Sequence, residues 1–193
     1  RFGIGECMAA IGIQSMLSSS SASTMSANTV LGYTESFQDI GEAAIQYSKM
    51  LVANTISRII GIDPSVKRWF GENPSYKQLY LDFLDIDRAL DRKIKFYETK
   101  KANVIAFVGM DANGLHIRDK IWLSRLFKDL PNIGYYSKGG ALIHEISHNE
   151  LGTGDNGGMY SKAQCKWLAS LGFDVAMLNA QNYMYLAEDP FIY

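Results

Sequence analysis

His144-Glu145-Ile146-Ser147-His148-Asn149-Glu150-Leu151-Gly152-Thr153-Gly154-Asp155 is the stretch around which the rest of this chain is arranged. Residues four apart on an α-helix share a face. A helix here therefore offers both His144 and His148 to one cation, with Glu145 projecting beside them toward an open coordination position. Two of the chain's three histidines fall in this dozen residues. Catalytic zinc is held by three protein ligands and a water, and Asp155, brought round by the glycines at 152 and 154, is the third candidate. The expectation is one Zn2+ per chain. With so few His and Glu residues, a chance H-E-x-x-H is expected on the order of once in several hundred such sequences. That weakens the plainer reading of two half-buried helix histidines satisfied by local hydrogen bonds. Upstream, Lys138-Gly139-Gly140-Ala141-Leu142-Ile143 puts apolar residues just before the motif, as a helix buried within a domain requires.

Zinc held by two neutral imidazoles and one carboxylate keeps a net positive charge, lowers the acidity constant of its bound water to around 7 and polarises a carbonyl. Glu145, next to a ligand without being one, is placed to take the water's proton as general base and return it to a leaving amine. Tyr160 is the candidate second donor to an oxyanion, although a tyrosine packed beside a helix starting near Ser161 reads the same way. A ligand histidine donates its other ring N–H to an outer acceptor. Asn179, Asn182 and Asp174 are available for that, but Asn179 equally suits a helix cap. His116, in the alternating stretch Gly114-Leu115-His116-Ile117-Arg118, reads as a surface residue of a half-buried strand and is left out of the site. If that strand is the sheet edge beside the cleft, its backbone can pair with an extended peptide.

With its Gly152-Thr153-Gly154-Asp155 element, the motif resembles the deuterolysin-like or aspzincin metalloendopeptidases, whose mark is H-E-x-x-H followed by Gly-Thr-x-Asp. The resemblance runs over roughly residues 137–188, through Tyr160, Cys165 with Trp167-Leu168-Ala169, and Asn179-Ala180-Gln181-Asn182-Tyr183-Met184-Tyr185-Leu186. Residues 103–110 extend it loosely into the first half. It implies a mostly helical, zincin-like α+β metallopeptidase domain with a small antiparallel sheet. Two departures stand out. The turn Asn149-Glu150-Leu151 is short, and Gly158 stands three after the aspartate where the family has tyrosine, which makes Tyr160 a shifted candidate. Lysine-specific members carry acidic residues in the segment matching 179–184, and here those substrate-binding positions are Gln181 and Met184. An amide and a thioether do not supply the charge-assisted bonds that hold an ammonium group, so an uncharged or apolar side chain is expected there instead of lysine.

The rest of the chain is consistent with one catalytic domain. Its 193 residues, 47% hydrophobic, are enough for a single core. A formal charge of −1 gives no electrostatic case for nucleic acid or an anionic membrane, and no uncharged stretch is apolar enough for a bilayer helix. Residues 1–35 form a low-charge leader or linker with the serine-rich run 18–24, and 36–193 form the catalytic domain. Residues 2–16 faintly resemble a signal-peptide core, but Glu6 and the missing basic leader count against that. Starting without Met, the chain reads as a processed part of a longer protein.

A long helix is expected over 37–60. A second follows Ser75, which with Gln78 forms a capping-box pattern, and carries apolar residues through Ile94. The charges from Asp82 to Lys93 read as its solvated face. Residues 103–110 and 115–122 make a β-hairpin about Asp111-Ala112-Asn113-Gly114. Helices follow over 161–171 and 174–187. Two cysteines, Cys7 and Cys165, do not make a disulfide framework. Together these point to a secreted or delivered zinc endopeptidase, an effector or toxin, with a protein or peptide substrate and an inhibitor, immunity or delivery partner. The alternatives are a zinc hydrolase of cell-wall peptides and a non-catalytic metal-stabilised module, and the latter has no need of Glu145.

Overall fold

The computed structural model describes residues 35–114 and 116–191. The expectations for the leader at 1–35, its signal-like and serine-rich parts, and any bridge from Cys7 lie outside the described residues. Helix α1 spans Phe37–Ile60, as its apolar spacing predicts, and Ser36 and Asp39 close a capping box at its start. Asp63 caps the short helix α2, Pro64–Phe70, with proline at its first position, where no N–H is needed. Helix α3 is Tyr76–Leu90. Ser75 accepts from Gln78 N as expected, but the Gln78 side chain turns forward to Asp82, 2.7 Å away, so the box is half made. The helix stops at Leu90, and Ile94 belongs to the chain leading into the sheet.

Three strands follow: β1 Lys95–Glu98, β2 Ala106–Met110 and β3 His116–Leu123, in the order β1-β3-β2. The hairpin expected from the sequence is the antiparallel β2–β3 pair. The sheet is nevertheless mixed, because β1 lies parallel to β3. Only one residue of β1, Phe96, faces inward, so its four residues carry no readable alternation. The strand bearing His116 is central and the site-side edge is β2, so the condition under which the His116 strand would pair with an extended peptide is not met.

After the short helix α4, Arg125–Asp129, come α5, Lys138–Leu151, and α6, Lys162–Leu171. The helix expected over 174–187 is divided into α7, Phe173–Ala176, and α8, Ala180–Glu188. The break has a distant cause. Gly154 pairs with the chain at Asn179, its N–H donating to Leu178 O at 2.8 Å and its carbonyl accepting from Ala180 N at 3.0 Å.

Helix α5 is the axis of the domain, packed against α1, α3, α8 and the β2–β3 sheet. Its glycines permit that closeness. A Cβ on Gly140 would lie 2.1 Å from Glu188 Oε1, and one on Gly139 would lie 2.7 Å from the Tyr47 ring. Below it an aromatic core joins α2, α3 and α8: Trp69 stacks on Tyr185 at 4.8 Å, and Phe70 meets Tyr183 edge-on at 5.1 Å. Burying each such ring contributes on the order of 4 kcal/mol. Tyr183 donates to Asp82 at 2.7 Å, so Asp82 is buried and not part of a solvated acidic face. Among the described residues no helix is long and apolar enough to cross a membrane.

Candidate metal centre

The middle of α5 is buried on all sides, and His144, Glu145 and His148 are each at most 2% exposed. The helix ends where Gly152 enters the left-handed region (φ 65°), which an L-residue with a side chain adopts reluctantly. The chain then doubles back, held to 178–180 by the Gly154 pairing, and brings Asp155 against the two imidazoles. Asp155 Oδ1 lies 3.1 Å from His144 Nε2 and 3.4 Å from His148 Nε2, and the two Nε2 atoms are 3.1 Å apart.

Those separations suit a metal. Zinc bonds of about 2.0–2.1 Å at tetrahedral angles put ligand atoms about 3.3 Å apart. The tautomer of His148 also fits, since its Nδ1 donates to Thr153 O at 2.7 Å, leaving Nε2 as a lone pair directed at His144. Facing nitrogens and a carboxylate converging within 4.8 Å are stable around a cation. Burial works against the Asp155 charge, but the flanking imidazoles outweigh it and hold its carboxyl well below the usual carboxylate range.

The Thr153 carbonyl is the outer acceptor that the sequence did not identify. It lies five residues from His148, and the Ser147 hydroxyl fixes the same turn by bonding His144 O at 2.7 Å and Thr153 Oγ1 at 2.9 Å. None of the three polar residues named for that role fills it. Asp174 is exposed. Asn179 donates to Met159 O and Asn182 Oδ1, and Asn182 donates to Trp69 O and Cys165 O, so both brace the loop and α8 from within. His144 Nδ1 is buried with no partner among the described residues.

Glu145 is fully buried beside this cluster. Burial pushes its carboxyl up, while the two imidazoles and the N–H of Val108 on β2 pull it down. One oxygen is anchored to the sheet edge and Oε2 has no partner among the described residues. Tyr160 reaches the site despite its shifted position. Asn156, Gly157 and Gly158 all take positive φ, which turns the loop so that the Tyr160 ring comes to 6.3 Å from that of His144. Gln181 and Met184 lie on α8, fully buried, with Gln181 Nε2 3.4 Å from Met184 Sδ.

His116, set aside on its sequence, is at the site. Its ring lies 6.3 Å from that of His148 and within 9° of parallel, and burial followed by the neighbouring His148 lowers its pKa. Cys165 is buried against Asn179, and burial pushes its thiol up to about 12, so it is an inert core residue.

Comparison with known proteins agrees with this geometry. The aspzincin family, described as lysine-specific metallo-endopeptidase, matches residues 61–188. In sequence the chain is 30% identical over 145 residues to an extracellular protease of Aeromonas hydrophila, covering 72% of this chain and 40% of that protein. It is 27% identical over 167 residues to the peptidyl-Lys metalloendopeptidase of Grifola frondosa, covering 83% and 47%. The chain therefore spans less than half the length of these two relatives. In structure it is similar to a zinc peptidase from Grifola frondosa, with a TM-score of 0.68 at 27% identity over 79% of this chain and 94% of that one. On the match across residues 61–188, the chain belongs to the aspzincin family of zinc metallopeptidases.

Proposed function

We propose that this domain is a secreted zinc endopeptidase in which His144, His148 and Asp155 hold the metal, Glu145 is the general base and Tyr160 steadies the oxyanion. The observation that carries the reading is the convergence of two imidazoles and a carboxylate beside a buried glutamate with one unpartnered oxygen. A non-catalytic metal module has no use for that glutamate. When bound, zinc supplies Lewis acidity to a water and to the peptide carbonyl.

Glu145 Oε2, which has no other partner among the described residues, accepts the water's proton and returns it to the leaving amine. Val108 N–H holds the other oxygen of the carboxylate so that the group does not swing away. Thr153 O keeps His148 in the tautomer whose Nε2 presents a lone pair to the metal position. The Tyr160 hydroxyl, on a ring centred 6.3 Å from that of His144, donates to the oxygen that gains charge as the carbonyl is attacked. Specificity departs from that of the peptidyl-Lys relatives. The neutral buried pair Gln181 and Met184 offers no carboxylate to an ammonium group, so an uncharged or apolar side chain is preferred after the cut.

The test is cleavage of casein by the wild type and by Glu145→Ala, with zinc determined in both. The expected result is about one zinc per chain in each, cleavage by the wild type, and a loss of about 10²–10⁴-fold or more in the variant. Absence of metal from the wild type would overturn the reading. A peptide-library profile with strong enrichment of Lys just after the cut would overturn the specificity.

A further inference from the structure

Strict strand alternation puts His116 on the wrong face. Trp122, six residues on, stacks against Phe107 and Tyr97 on the less buried face of the sheet, opposite Phe96, Val108 and Ile121, and a period of two would send His116 there as well. The ladder slips in between. Val108 faces Ile121 while Met110 faces His116, and Asp119 in the intervening stretch takes a left-handed conformation (φ 62°). The extra residues turn the strand over, so that Ile117 joins Trp122 near Gly109 and His116 comes to lie over His148. Bulges re-aim side chains in this way.

The bulge is fastened to the metal helix. Arg92 Nε bonds Asp119 Oδ1 at 2.6 Å, and the other nitrogens of the same guanidinium pair with Glu150 in the last turn of α5. A non-glycine residue in the left-handed region is strained. His116 Nδ1 is in addition buried with no partner among the described residues, an omission that is costly in a folded protein. Two local penalties are thus retained to hold an imidazole beside the metal helix. It is not there as a ligand, since the converging set is His144, His148 and Asp155 without it.

The geometry points to His116 as a further catalytic residue of the proposed peptidase: from the β3 side it donates a hydrogen bond to the scissile carbonyl oxygen as that oxygen becomes negative. No bond to His116 forms and its proton stays on the ring. Tyr160 beside His144 and His116 beside His148 then serve the same developing charge. The assignment rests on the peptidase reading.

The experiment compares wild type, His116→Phe and His116→Gln. Phenylalanine keeps the flat ring and its packing but has no donor, and glutamine restores a donor. For His116→Phe, kcat should fall about 10²-fold, the loss typical of one oxyanion donor, with KM within about twofold, zinc content unchanged and partial recovery in His116→Gln. A wild-type kcat in His116→Phe, a change confined to KM, or loss of zinc would each overturn the assignment. A tripeptide phosphinate, which mimics the tetrahedral state, gives a readout without turnover. It should bind the zinc-loaded wild type and bind His116→Phe about 10²-fold more weakly. Failure to bind the wild type would sink the peptidase reading, whereas equal binding to both would sink only the role of His116.

Discussion

The two ends of helix α5 are built by opposite means. At its C-terminal end the metal cluster is made of residues close in sequence, with only the Gly154 pairing and the Arg92–Glu150 pair reaching across the fold: His148 bonds Thr153, Ser147 bonds the same turn, and Asp155 returns after Gly152. At its N-terminal end Ser137 caps locally, but the anchors come from far along the chain. Glu188 on α8 accepts from Tyr136 N, Ser137 N and Ser137 Oγ at 2.7–2.9 Å, and Ser48 Oγ on α1 donates to Gly139 O at 3.0 Å. One end carries the chemistry and the other aims it. The aim depends on residues that no local pattern connects.

Breaking the local end should have the largest effect. Asp155→Asn removes the carboxylate that the two imidazoles face, and zinc affinity should fall by more than the roughly 10–100-fold typical of losing an outer-shell partner. Equilibrium dialysis against zinc measures this. Undiminished binding would mean that the Gly152–Asp155 turn does not supply the third ligand.

The distant end should fail next, through stability and without loss of a metal ligand. In Gly140→Ala the new methyl meets the Glu188 carboxylate, which is itself held by three donors and cannot retreat. Overpacking of this kind costs about 3 kcal/mol, read as a lowered urea midpoint. A variant as stable as the wild type would show that α8 yields readily and does not anchor α5.

Glu188 sharpens the contrast by its pH dependence. Burial raises its carboxyl from an ordinary 4.5 to about 7, against the pull of the Ser137 and Tyr136 donors. Between those values the folded protein binds a proton that the unfolded chain releases. Its contribution to stability is thus full below about 4.5 and declines as the pH rises to about 7, by on the order of 3 kcal/mol in all. Glu188→Gln lacks this titration. The stability difference between wild type and variant, measured by urea unfolding with metal chelated, should therefore shift by that amount between pH 4.5 and 8. A constant difference would mean that the carboxylate ionises near its ordinary pH, stabilised by the helix start.

This division also explains what could be read from the sequence. The His144–Asp155 dozen needs only helical periodicity and one glycine turn, so the cluster and the adjacent Glu145 were legible, as were α1 and the β2–β3 hairpin with their caps and turn residues. Strand β1 was not, because one inward residue in four makes no pattern. The break before α8 was not, because its cause is a pairing with Gly154 across the fold. His116 was misplaced because alternation assumes an unbroken ladder, and the signal that could have corrected it, a left-handed aspartate in mid-strand, is a conformation and not a composition.

Arg92 gives the smallest expected effect on stability and the most direct test of that last point. Its side chain is about one-third exposed and pairs with an exposed Asp119 side chain but with a Glu150 side chain only 9% exposed, so Arg92→Met should cost about 1–2 kcal/mol. Methionine keeps the aliphatic stem and removes only the clamp between Asp119 and Glu150. If the clamp matters solely to folding, activity will follow the small stability change. If it positions His116, kcat should drop several-fold at unchanged zinc content, and the drop should largely vanish when Arg92→Met is made in a His116→Phe background, since both changes then remove one and the same contact. Additive losses would mean that Arg92 and His116 act separately, and the bulge would be a feature of the sheet alone.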